Sequence, residues 1–71
     1  MQELFDIALS QSPNGDLRRY VDAKVCLATS RLLLEGVAPT YWRKIVAQEA
    51  CRELAWYYRL SIVNNIQVTI A

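Results

Sequence analysis

The side chains of this sequence that could do covalent chemistry are few. Cys26 and Cys51 are the strongest nucleophiles, but a thiol attacks only where a cation or another activating group stabilises its thiolate. Neither belongs to a CxxC pair, and the chain has no histidine, so the commonest general base and metal ligand near neutral pH is missing. Both cysteines therefore read as reduced, packed thiols rather than as catalytic groups or a disulfide. Glu49 and Glu53 stand four apart and would share one side of a helix, and in a two-fold assembly they would present four carboxylates, the kind of set that holds metals. Bundle metal sites also use Glu-x-x-His, which is absent, so ion pairs with Lys24 and Arg52 are the simpler use of these acids. The two glycines, Gly15 and Gly36, lie too far apart to form a phosphate-cradling loop. The chain is thus expected to be no enzyme, with no metal site and no cofactor.

Recognition chemistry is better supplied. On a helix through residues 39–63, Tyr41, Gln48, Arg52 and Arg59 form a stripe with Lys44 at its edge, while Arg43 lies elsewhere on the first turns. Arginine and lysine suit phosphates or carboxylates, and tyrosine can stack on a base. Acids lie close by and the net charge is only +1, so nucleic acid ranks second among the partners. On another side of the same helix Trp42, Ile45, Trp56, Leu60 and Val63 make an apolar patch holding both tryptophans. Aromatic and arginine side chains are enriched in protein interfaces, so this patch is the candidate for self-association.

These residues need elements to carry them. Seventy-one residues make one domain, near the size at which a single core is marginal and assembly a common remedy. An apolar share of 54% with only two glycines and two prolines argues against disorder. Leu4, Phe5, Ala8 and Leu9 predict a short amphipathic helix over residues 2–11, which must dock or fray. Ser12 to Asp16 reads as a turn with helix-capping residues. Leu17, Val21, Val25, Ala28 and Leu32 then predict a helix over residues 16–35, closed by Gly36 as its C-terminal cap. Pro39 opens the third helix, 39–63, whose core side is Val46, Ala47, Ala50, Cys51, Leu54, Tyr57 and Tyr58. In an antiparallel hairpin of the two long helices, residues at equal height have numbers summing to about 75 to 77, which sets Lys24 level with Glu53. Beyond Asn64 and Asn65 the period changes, and Ile66, Val68 and Ile70 alternate like a strand over an extended tail, 66–70.

The expected fold is therefore all-α, with at most a short C-terminal β segment: a short helix plus an antiparallel helical hairpin in a single domain, 1–71, two copies dimerising into a four-helix core. Charges recur too often for a membrane span, and the acidic start is unlike a signal peptide, so the expected location is cytoplasmic. The expected function is that of a small homodimeric protein-protein interaction module, a regulator or adaptor whose partners are itself and another protein. The alternative is a nucleic-acid-binding regulator working through Tyr41, Lys44, Arg52 and Arg59.

Overall fold

Alternation, not helical spacing, governs the middle of the chain. In the computed structural model, which describes residues 1–69, Val21–Cys26 and Arg31–Ala38 are strands β1 and β2 joined by a tight turn. They pair antiparallel from Val21 opposite Gly36 to Cys26 opposite Arg31. Val21 and Ala23 on β1 and Leu32, Leu34 and Ala38 on β2 point to one face and are buried there, as a strand period of two requires. A short 3-10 turn, Leu17–Arg19, leads into β1, its first amides capped by the Asp16 carboxylate, which accepts from the Arg18 N–H at 3.0 Å.

After β2 the chain turns at Pro39 and enters helix α2, Tyr41–Tyr57, where Thr40 is the N-cap and its hydroxyl accepts from the Arg43 N–H at 3.1 Å. The helix returns the chain to β3, Ser61–Asn64, and β4, Gln67–Val68, both parallel to β2. Arg31 lies opposite Ser61, Leu34 opposite Asn64, and Ala38 opposite Val68, so the same offset holds throughout. The two pieces are thus one strand path interrupted at Asn65 and Ile66. The result is a mixed sheet with β2 at its centre, crossed by a β-α-β connection and preceded by helix α1, Gln2–Ser10.

Both helices cover the same sheet face. Phe5 and Leu9 from α1, and Val46, Ala47, Cys51 and Ala55 from α2, meet Leu17, the inward strand residues, Leu60 and Ile66 in one core. A helix as short as α1 does not hold alone, and these two fully buried side chains are what dock it. Polar ties fix the layers. Asn64 Nδ2 donates to the Lys44 carbonyl (3.2 Å) and to Gln48 Oε1 (3.1 Å), and its Oδ1 accepts from the Ile66 N–H (3.2 Å), joining the interrupted strand to α2. On the far edge, Gln2 Nε2 donates to the Ala23 carbonyl (2.6 Å), and Gln2 Oε1 accepts from the Val25 N–H (3.1 Å). That one side-chain amide occupies two backbone groups that β1 would otherwise offer at its edge.

The architecture overturns the all-α expectation. The helix expected over 16–35 is a 3-10 turn and a β-hairpin, so there is no helical hairpin and no four-helix core built from one. Lys24 pairs not with Glu53 but with Glu35 on the neighbouring strand, at 3.7 Å. The ambiguity is physical: Val21 and Val25 are four apart, which satisfies a period of two as well as one of 3.6. The hairpin turn lacks Gly, Pro or Asn, because Ser30 takes the left-handed backbone itself, at φ 52°. The helix expected over 39–63 ends six residues early for a similar reason. Arg59, at φ 57°, sits where glycine usually ends a helix; its N–H donates to Trp56 (3.0 Å) and the Leu60 N–H to Ala55 (2.8 Å), the paired bonds of a Schellman motif. Glycine at this position relieves the left-handed strain, so Arg59→Gly is expected to raise unfolding free energy by about 0.5–1 kcal/mol in urea titrations. Of the extended tail expected over 66–70, only Gln67–Val68 form a strand, β4, and it pairs with β2 of the same chain; Ile70 lies outside the described residues.

Candidate interaction surface

Helix α2 presents its flank to the core and its back to water. Val46, Ala47 and Cys51 are buried, with Ala50, Leu54 and Tyr58 packed partly against them. The opposite side carries Trp42, Ile45, Glu49, Arg52, Glu53 and Trp56. Trp42 is 64% exposed and Trp56 82%, high values for the largest apolar side chains in the protein. At ~1.5 Å per residue the two indoles lie roughly 21 Å apart along the helix, and at ~100° per residue they return to nearly the same bearing. Tyr57, also exposed, packs edge-on against Tyr58 with ring centroids 5.0 Å apart, extending the aromatic end of the helix. Shallow depressions run beside Trp56, one lined by Tyr57, Arg59, Leu60 and Ser61, the other by Arg52, Glu53 and Tyr57.

The five residues expected to self-associate do not form one surface. Trp42, Ile45 and Trp56 share the outer side of α2; Leu60 is only 8% exposed and belongs to the core, and Val63 sits in β3 beside Leu33 on the uncovered sheet face. The sequence places Leu60 and Val63 with the tryptophans only if the helix continues past Tyr57. The basic and aromatic set divides less. Tyr41 lies on the side of α2 next to β3, Lys44 and Gln48 are fixed there by their contacts with Asn64, and Arg52 stays on the outer side beside Glu49. Arg59 stands just ahead of β3. Arg52 Nη1 also reaches Glu49 Oε2 at 3.3 Å across one turn of an exposed helix.

The two cysteines fall in unlike places. Cys51 is fully buried under α2, and burial pushes its thiol up to about 11, which keeps it protonated and inert at neutral pH. Cys26 is exposed at the end of β1, where the Thr29 hydroxyl, hydrogen-bonded to the sulfur, holds its pKa below the ordinary thiol value. Both are free. Among the described residues no three His, Cys, Asp or Glu side chains gather as a metal site, and Glu49 and Glu53 remain on the exposed side of α2. No helix in the described residues is long and apolar enough to cross a membrane.

The residue that sequence reasoning passed over is Gln2. Its amide reads as an ordinary helix-start side chain, and nothing in its spacing signals that a strand edge lies beside it. Comparison with models of protein families, with curated proteins and with solved structures returned no match.

Proposed function

We propose that this chain is a small non-enzymatic protein-interaction module, a regulator or adaptor that pairs with a second copy through the outer side of α2. The observation that carries the reading is the exposure of Trp42 and Trp56 on one bearing of a helix whose other flank is already buried. Two such helices packed antiparallel about a dyad at Glu49, midway between the indoles, set Trp42 of each copy against Trp56 of the other. Arg52, within a turn of that dyad, then meets the glutamates of both copies and offsets their repulsion. The same residues sit as near-isolated indoles in water if the chain stays single, which costs apolar hydration that pairing would remove. Two unpaired thiols suit a reducing compartment, in keeping with a cytoplasmic location.

Sedimentation velocity over a dilution series tests the proposal. The native chain is expected to pass from dimer to monomer on dilution, and the Trp42→Ala, Trp56→Ala double variant to stay monomeric at concentrations about 100-fold higher. Because both indoles are exposed, their truncation should leave the fold intact, which circular dichroism checks. A variant that retains the native oligomer would contradict the assignment.

A further inference from the structure

The sheet has two edges, and they are treated differently. The β1 edge is occupied at Ala23 and Val25 by the Gln2 amide and carries the charged residues Asp22 and Lys24. Among the described residues, the β3–β4 edge has no such guard. The N–H groups of Ser61, Asn65 and Thr69 donate inward to the carbonyls of Ser30, Leu34 and Ala38, so strand alternation turns the backbone of Ile62, Asn64, Ile66 and Val68 outward. Among the described residues, the Ile66 N–H is the one of these that is taken, by Asn64 Oδ1. From Ser61 to Thr69 the strand path contains no charged residue to discourage pairing.

Charge beside this edge has one sign. Lys44 stands over β3 through the Asn64 bond to its carbonyl, and Arg59 precedes the strand. The acids of α2, Glu49 and Glu53, are on the helix's outer side, and Glu35, one strand inward on the uncovered face, is engaged by Lys24.

The geometry points to a second docking surface, independent of the α2 pairing: the β3–β4 edge accepts an extended, acidic peptide segment of a partner protein as an added strand. Unpaired N–H and C=O groups in strand register call for an occupant that both donates and accepts along its length, which a polypeptide backbone does. A nucleic acid backbone offers acceptors at its phosphates without the matching donors. A second copy of this chain would bring its own Lys44 and Arg59 to the same seam, where like charges oppose pairing, whereas carboxylates on the incoming strand meet Lys44 and Arg59 favourably.

The test is fluorescence anisotropy with a labelled short peptide of alternating Glu and Val. Binding is expected to saturate with a Kd below about 1 mM, and to weaken about tenfold or more for the Lys-Val counterpart and for the same Glu-Val peptide N-methylated at alternate residues. The Lys44→Glu, Arg59→Asp variant should lose at least about tenfold in affinity at unchanged circular dichroism, since aspartate tolerates the left-handed backbone at 59. The Trp42→Ala, Trp56→Ala variant should bind as the native chain does, which separates this surface from the self-association face. No saturation with the Glu-Val peptide, undiminished binding of its N-methylated form, or tighter binding of single-stranded oligothymidine would overturn the proposal.

Discussion

Alanine at Gly36 is expected to cost more than about 3 kcal/mol, enough to unfold much of a domain this small. Gly36 holds φ 138°, a backbone conformation that L side chains rarely adopt, where the central strand pairs with the first residue of β1. A Cβ there would overlap the Tyr20 carbonyl oxygen and press on the Tyr20 carbonyl carbon and the Val21 Cα, at 3.0 and 3.1 Å. All three are backbone atoms, so no side chain can swing aside. The same carbonyl accepts the Val37 N–H at 3.2 Å, and moving it breaks the pairing that starts the hairpin. Gly15 is the control: its φ is 102°, but nothing lies within 4 Å of a Cβ placed there, so Gly15→Ala should cost only the backbone strain of about 1–2 kcal/mol. Urea unfolding of the two variants beside the native chain measures the difference.

Phe5→Ala is expected to be the next most damaging change, at about 3–5 kcal/mol. Phe5 is fully buried between α1 and the rest of the core, and with Leu9 it is the anchor of a helix too short to persist undocked. Loss of α1 also withdraws Gln2 from the β1 edge. The stability effect and the edge effect separate in Gln2→Ala, which removes the amide and leaves Phe5 in place. That variant should lose only about 1 kcal/mol yet aggregate faster on agitation, because Ala23 and Val25 then offer unpaired backbone groups. Leu4→Ala on the exposed side of α1 should alter stability by no more than about 0.5 kcal/mol. Chemical denaturation ranks the three, and light scattering reads the edge.

The parts of the fold that the sequence shows are those where one period fits and the other does not. The adjacent pairs Leu4-Phe5 and Ala8-Leu9 mark α1, and Val46, Ala47 and Cys51 mark the core side of α2, because neighbouring apolar residues repeated after four positions suit a helix and not a strand. The alternation of Ile66 and Val68 signals extended chain by the same rule in reverse, although only Val68 of the two lies in a strand. Between residues 16 and 38 the signal is degenerate: Val21, Val25 and the leucines of β2 satisfy both periods, and the turn that would decide between them is made by serine in a conformation usually marked by glycine or asparagine. The end of α2 is hidden likewise, by arginine in a glycine's position. The candidate interaction surface is legible as far as the helix is. Trp42, Ile45 and Trp56 fall together because a helix joins them, while Leu60 and Val63 are carried past the Schellman turn to the core and to the opposite sheet face. The open strand edge beside Lys44 and Arg59 required the pairing of β2 with β3 and β4, a contact between segments thirty residues apart that no local pattern contains.

Acrylamide quenching of tryptophan fluorescence across a dilution series addresses the proposed self-association of α2 most directly, since both indoles of the protein lie on the face in question. Trp42 and Trp56 are predicted to be freely quenched in dilute solution and to become shielded, with emission moving to shorter wavelength, over the same concentrations at which the sedimenting mass doubles. Quenching that stays complete at every concentration, in a protein that remains a single copy, would contradict the account.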